Sequence, residues 1–379
     1  MIHKMGFKSS FDAIIIGCGI AGASLAYFLA ERGMTDILIL EREEQPGYHA
    51  TGRAAGVLVE LDFVPSILDL KILGGRFLRN PPDGFSEYPL LRQSGILIMF
   101  KGELWDSVQQ MIPGLRQSGV VVNVLSREDV MSVIPVVNSN NFDGAVLLPE
   151  DGHIDANELL WSYIRHARRR GARLRLKEEV TGIELEQGRV SGVTTAAGEY
   201  RSPLVINASG AWAGNIRKLM GQTPVQLTPY RRTIITFAAP EGIETKDWPL
   251  AADLSHDLYF SPESSGMLAS PMDEDPMEPC DARPDELGVA QTVERLKQLT
   301  PRLAPKSIID KWAGLRTFAP DQAMVVGEDP VVKGFFWLSG QGGSGIETSA
   351  AVGQIASDLI VDGHTGIMDA SQISPMRFG

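Results

Sequence analysis

The chain has 379 residues, 44% of them hydrophobic and 22% charged, enough for two domains or one large α/β unit with a sizeable core. Its net charge of −12 disfavours non-specific nucleic-acid binding and attraction to anionic lipid. Two cysteines, Cys18 and Cys280, and six scattered histidines offer neither a disulfide framework nor metal-ligand spacing, so the expectation is a reducing cytoplasm and no metal.

Residues 12–16 form an apolar, strand-like run that leads into Gly17-Cys18-Gly19-Ile20-Ala21-Gly22, and residues 23–30 then read as a helix. A second strand-like run, 36–40, ends in Glu41, nineteen residues beyond Gly22. Strand, glycine turn, helix, strand and acid in this order predict a dinucleotide site. Gly17 allows the tight turn, Gly19 admits a pyrophosphate against bare backbone, and Gly22 lets the helix pack close to the sheet. The helix N-terminus offers free N–H groups and its positive dipole end to phosphate, and Glu41 suits a ribose diol. Residues 13–30 are also uncharged for eighteen positions, the length of a membrane span, but glycines at turn spacing and the acid-tipped second strand argue against one.

Further along, 144–148 reads as a strand, and Asp155 is placed to cap a helix over 156–167. Residues 173–176, 180–185 and 189–194 read as short strands separated by glycine-containing turns, and 204–207 as a buried strand running into 208–212. Strands follow at 231–237 and 258–260, a Pro- and acid-rich surface loop at 270–284, and an amphipathic helix at 286–299. The chain closes with a strand at 334–338, a turn with four glycines in 340–345 and a helix through 351–360. Four glycines exceed what a turn requires, since each adds backbone entropy lost on folding; close approach to a ligand explains them better.

The turn at 17–22, Glu41-Arg42, the segment 45–53 (Gln-Pro-Gly-Tyr-His-Ala-Thr-Gly-Arg), the turn 207–210, Trp312-Ala-Gly-Leu-Arg-Thr-Phe318 and the turn 341–348 together resemble the FAD-dependent D-amino acid oxidase superfamily. Within it, the chain resembles the bacterial D-arginine dehydrogenase branch most. The resemblance runs from residue 12 to 349. It implies FAD rather than NAD, and a Rossmann-like α/β FAD domain (1–85, 150–225 and 310–379) interleaved with a largely antiparallel-sheet substrate domain (86–149 and 226–309). It also implies cofactor contacts from Gly17, Gly19, Ile20, Ala21 and Gly22; from Glu41 and Arg42 at the adenosine; and from Thr51, Gly52, Arg53, Ala54, Ala55 and Gly56 along the path to the ribityl chain. Val180 would meet adenine, while Ala208, Ser209, Gly210 and Trp212 would close over the cofactor. Gly342, Gly343, Gly345, Ile346, Glu347 and Thr348 would border the flavin edge together with Arg316, where a helix N-terminus stabilises developing negative charge. No Cys or His stands where relatives attach FAD covalently, which implies non-covalent binding.

The resemblance places Arg232 and Arg316 at a substrate carboxylate, with the Tyr259 hydroxyl as a third contact. Arginine suits that task because its planar fork gives two parallel, charge-assisted hydrogen bonds. Of Arg231 and Arg232 on a strand, one must face inward, and Trp312, Leu315 and Phe318 imply a partly buried Arg316 that needs an anionic partner. No histidine or carboxylate emerges as a base, and hydride loss from a neutral amine needs none. Departures from the D-arginine branch fall at the side-chain pocket: its serine and histidine are Ala54 and Val57 here, its lid tyrosine is Asp62, and its guanidinium-binding acid is Ile96. Isoleucine cannot offset burial of a cation, so neutral or apolar substrates are expected. Glu60 and Asp62 read more readily as a solvated loop than as an acidic contact.

The expectation is therefore an FAD-dependent enzyme that oxidises a small amino-acid-like carboxylate, a D-amino acid first. The alternatives are a 2-hydroxy acid or N-methyl amino acid (sarcosine- or glycine-type) oxidoreductase on the same scaffold, or a non-catalytic FAD-binding protein. The electron acceptor, quinone or oxygen, is left open. No lysine stands out beside the flavin edge, which mildly favours a dehydrogenase. No nucleic-acid partner or transmembrane segment is expected.

Overall fold

In the computed structural model, which describes residues 10–222, 225–264 and 266–378, the chain forms two large sheets with a cavity between them. The first nine residues of the expected FAD domain lie outside the described residues. The first sheet has six strands in the order Val325–Glu328, Phe335–Ser339, Val205–Asn207, Ala13–Ile16, Ile37–Leu40, Arg173–Arg175. All neighbours are parallel except the first pair. Ala13–Ile16 is fully buried because the sheet is covered on both faces. Its side chains alternate: Ala13 and Ile15 pack with the helices Ile20–Glu31, Ala156–Arg169 and Ser349–Val361, whereas Ile14 and Ile16 meet Val180, Ile183, Val193 and Ile216 on the other side. Much of that second layer is a three-stranded antiparallel sheet, Val180–Glu186, Arg189–Thr195 and Gly198–Arg201. Residues 13–30 are thus a strand and a helix, and no helix among the described residues is long and apolar enough to cross a membrane.

The second sheet has nine strands. Eight follow the order Asp275–Pro276, Thr228–Phe237, Gly266–Ser270, Leu258–Glu263, Leu250–Asp253, Ile96–Phe100, Gly144–Leu148, Asn123–Leu125; the ninth, Asp310–Phe318, lies along Thr228–Phe237. Only the Leu250–Asp253/Ile96–Phe100 pair is parallel. Leu97, Met99, Ile235 and Phe237 face a core that includes the helices Arg127–Val133 and Glu286–Leu299, while Ile96, Ile98, Ile234, Ala252 and Tyr259 face the cavity. The mixed α/β, two-sheet architecture expected from the sequence is present. Asp310–Phe318, which the boundary expected at 310 groups with the cofactor-side segments, pairs along its length with Thr228–Phe237.

Four α-helices escaped the sequence reading: Pro65–Arg79, Glu103–Gln117, Arg127–Val133 and Ala213–Lys218. The first bears on the site. Its internal Gly74 and Gly75 have a steric cause, since a Cβ at Gly74 would lie 1.9 Å from the Glu347 carbonyl oxygen and one at Gly75 2.3 Å from Glu60 Oε1. Asp155 caps the helix Ala156–Arg169 as expected, its carboxylate accepting from the Glu158 N–H at 2.8 Å.

Candidate active site

One continuous cavity of about 700 Å³ runs from the C-terminal ends of the parallel strands to the face of the nine-stranded sheet. Its first wall is the turn after Ala13–Ile16. Gly17 has φ +100°, and a Cβ there would meet the Ala208 oxygen at 2.6 Å. Gly19 caps the helix Ile20–Glu31 without a side-chain bond. Thr51 Oγ1 accepts from the Ile20 N–H at 3.0 Å, while the Ala21 and Gly22 N–H groups find no partner among the described residues. Glu41 is buried and oriented by its own chain, Oε2 accepting from the Cys18 N–H (2.8 Å) and Oε1 from the Glu43 N–H (2.9 Å). Beside it the Arg42 guanidinium lies 3.7 Å from the centroid of Trp212. Open N–H groups at a helix end, an oriented carboxylate and a flat cation–aromatic pair match the phosphate, ribose and adenine ends of a dinucleotide.

The second glycine turn closes the other side. Gly342 has φ +52°, and a Cβ on it would lie 2.3 Å from the Phe318 ring; one on Gly343 would lie 2.9 Å from Arg316 Nη1. The N–H groups of Gly345, Ile346 and Glu347 find no partner among the described residues, and they precede the buried helix Ser349–Val361. This is a second donor cradle, built for close approach.

Of the expected cofactor residues, nearly all border the cavity; Gly22, Gly52 and Thr348 do not. Gly22 packs on its own turn, where a Cβ would come within 2.1 Å of the Gly17 oxygen. Gly52 folds back on Gly47, its N–H donating to that carbonyl at 2.7 Å. Thr348 is fully buried, and its hydroxyl donates to the Ser344 carbonyl. These three shape the walls and do not face the cavity. Arg53 borders it, but its guanidinium is engaged by Asp281 and the carbonyls of Ala282 and Ala313.

The substrate end follows strand parity. Arg232 lies opposite Gly314 and Tyr230 opposite Arg316, so both arginines project from the same face of paired strands. Arg231 points the other way, to Asp273, Asp275 and Asp285. Arg232 is 4% exposed; its Nη2 meets Glu274 Oε1 at 2.9 Å, while Nε and Nη1 have no partner. The Tyr259 hydroxyl and Gln341 Nε2 are likewise buried and unpartnered. Burial, and the nearby Arg316 cation, push Arg232 down to about 10, so it stays protonated at neutral pH. Buried donors without partners are rare and destabilising. Here those of Arg232 and Tyr259 gather on one wall of the cavity, next to Ile96, Ile98, Ile234, Leu250 and Ala252, and Gln341 lines the same cavity from the second glycine turn. An anionic head on an apolar body fits that combination.

Two expectations need correction. Glu60 is not a solvated loop residue: it is 3% exposed, and Arg79 holds both its oxygens at 2.9 and 2.7 Å while also reaching Asp151. Asp62 pairs with Lys71 at 2.9 Å. Lys71 is the residue that sequence reasoning missed. It lines the cavity, nearly buried, with Nζ 3.3 Å from Glu347 Oε1 and 3.3 Å from the Leu61 carbonyl. Burial opposes its charge, but Glu347 and Asp62 outweigh burial and hold it above the usual lysine range. A lysine therefore does stand beside the second glycine turn, which removes the ground for preferring a dehydrogenase. The adjacent Gly74-Gly75 inside a helix was the available signal, since two glycines there imply close packing at that point.

The profile of the FAD dependent oxidoreductase (DAO) family matches residues 12–359. The mitochondrial dimethylglycine dehydrogenase of Mus musculus is 26% identical over 405 residues, covering 98% of this chain and 45% of that protein. The mitochondrial sarcosine dehydrogenase of Homo sapiens is 25% identical, covering 94% and 40%. The chain thus spans less than half the length of these relatives. Among solved structures, L-proline dehydrogenase from P. horikoshii superposes with a TM-score of 0.87 at 21% identity over 98% of both chains. Glycine oxidase from Geobacillus kaustophilus gives 0.82 at 22% over 97% of this chain and 98% of the other. At such identities the structures show the fold. These relatives do not specifically single out the D-arginine dehydrogenase branch.

Proposed function

Because the chain belongs to the FAD-dependent oxidoreductase (DAO) family, we propose that this flavin-dependent enzyme oxidises the carbon–nitrogen bond of a small neutral amino acid gripped by its carboxylate. The observation that carries this reading is the set of buried, unpartnered donors of Arg232 and Tyr259 beside Arg316. A carboxylate satisfies Arg232 through Nε and Nη1, takes the Tyr259 O–H as a further donor and relieves the repulsion between the two guanidiniums. The Cα substituent then rests on Ile96, Ile98 and Leu250, which offer a cation no partner. Gly17, Gly19, Ala21, Glu41, Arg42 and Trp212 would hold the adenosine diphosphate portion of FAD, and the 342–347 turn the flavin edge, without a covalent link. When bound, FAD supplies the two-electron acceptor for the hydride leaving the substrate carbon.

Among the described residues lining the cavity, His49 is the only histidine, and it pairs with Glu43 beside Arg42. No histidine therefore serves as base near the arginines, and the amine must be neutral before the hydride leaves. The imino acid product hydrolyses in water to a 2-oxo acid and ammonia. A D-amino acid with a neutral side chain is the first reading. An N-methyl or cyclic secondary amino acid is the second, favoured by the likeness to dimethylglycine and sarcosine dehydrogenases.

Anaerobic titration of the purified flavoprotein with D-, L- and N-methyl amino acids tests both. Bleaching by a neutral member, with kcat/KM rising with pH to a plateau, is expected. Reduction by D-arginine in clear preference to neutral substrates would overturn the apolar-pocket reading; no reduction by any amine would leave a non-catalytic FAD-binding protein.

A further inference from the structure

Three consecutive acids cross the strand that carries the arginines. Asp275 pairs with Arg231 at 2.6 Å, Glu274 with Arg232 at 2.9 Å, and Asp273 accepts from the Thr233 N–H and hydroxyl at 2.6 and 2.7 Å. They are not equivalent. Arg231 and Thr233 occupy the strand positions that point away from the cavity, so Asp273 and Asp275 fasten the loop to the outside of the sheet. Glu274 instead reaches the cavity-facing arginine. Its own side chain stays 58% exposed while that of Arg232 is 4% exposed, so this ion pair joins interior to solvent. Arg232 also borders a second cavity of about 360 Å³, which Glu274 lines from outside. Two guanidiniums and one carboxylate leave the nest with a single net positive charge. Lys71 keeps its own carboxylate partners, Asp62 and Glu347.

We propose that Glu274 sets the charge selectivity of the carboxylate nest: by neutralising one edge of Arg232 it matches the site to substrates with one carboxylate and excludes those with two. This rests on the reading that Arg232 and Arg316 receive the substrate carboxylate. A second substrate carboxylate would compete with Glu274 for the buried Arg232 and meet like charge at contact distance, which is unfavourable even though solvent partly screens Glu274. One carboxylate leaves Glu274 in place and completes the coordination.

Propionate and succinate differ by one carboxylate and provide the probe. Their dissociation constants are measured on the FAD-loaded protein by calorimetry and flavin difference spectra, for the native protein, Glu274→Gln and Asp273→Asn. Glutamine keeps the size and an acceptor for Arg232 while removing the charge; Asp273→Asn perturbs the same loop and leaves Glu274 untouched. Native protein is expected to bind succinate no tighter than propionate, and Glu274→Gln to raise the succinate-to-propionate affinity ratio at least tenfold, with the ratio unchanged in Asp273→Asn. A Glu274→Gln ratio within threefold of native, or an equal shift in Asp273→Asn, would reduce Glu274 to a loop anchor while the carboxylate reading stands. If neither acid binds the native protein, or both still bind Arg316→Met as tightly, the carboxylate reading itself fails and this inference with it.

Discussion

On the wall built from the six-stranded sheet, charged side chains find partners inside the chain: backbone N–H groups grip both oxygens of Glu41, and Arg42 lies on Trp212. What stays open there is mainly backbone, the N–H groups of Ala21 and the 345–347 run, together with the Gln341 side-chain amide. On the wall built from the nine-stranded sheet the open groups are side chains, Arg232 Nε and Nη1 and the Tyr259 hydroxyl. Backbone donors at a helix end are left over by helix geometry itself, so leaving them open adds little to what any helix start carries. A buried, half-partnered guanidinium destabilises the ligand-free fold until an anion arrives. The cofactor wall is thus a shape that folding completes, and the substrate wall is a charge that only a ligand completes.

The largest expected effect tests the residue that ties the walls together. Lys71→Met strips the cation from Glu347 and Asp62 and should destabilise the fold by about 3–5 kcal/mol, read as a fall in denaturation midpoint. Next, Arg232→Met should cut kcat/KM on the order of 10²–10³-fold, the range for losing one partner of a buried charge pair. The same change should leave the Tm of the ligand-free protein unchanged or higher, because it removes a buried cation that is only partly paired. A marked fall in Tm would erase the distinction between the walls. Gly22→Ala should behave in the opposite sense. Its methyl would collide with the Gly17 carbonyl, costing about 1–3 kcal/mol of stability and lowering the flavin content of the purified protein.

The last comparison is a pH dependence. Burial, and the Glu60 carboxylate beside it, push Asp151 up to about 8. The folded protein therefore keeps this proton longer than the unfolded chain. The stability it contributes is fully present below about pH 4 and is lost as pH rises to about 8. Asp151→Asn should flatten the fall of Tm between roughly pH 5 and 8. An unchanged profile would mean that Asp151 does not titrate in this range.

What the sequence alone determined is local: the glycine turn with its strand, helix and acid, the rule that one of Arg231 and Arg232 faces inward, and the Asp155 cap. Each follows from chain geometry within a few residues, a period of two, or the orphan donors of a helix start. The family likeness extended that reading to about half of the cavity-lining positions. Tertiary structure alone decided the rest. It showed that Gly52 and Thr348 turn away from the cavity, and that Asp310–Phe318 belongs to the second sheet. It also buried Glu60 against Arg79 and set Lys71 between Asp62 and Glu347, partners from opposite ends of the chain. Pattern reveals where a side chain points along its own element. The charge that meets it there depends on how distant elements pack, and that is set by the whole core at once.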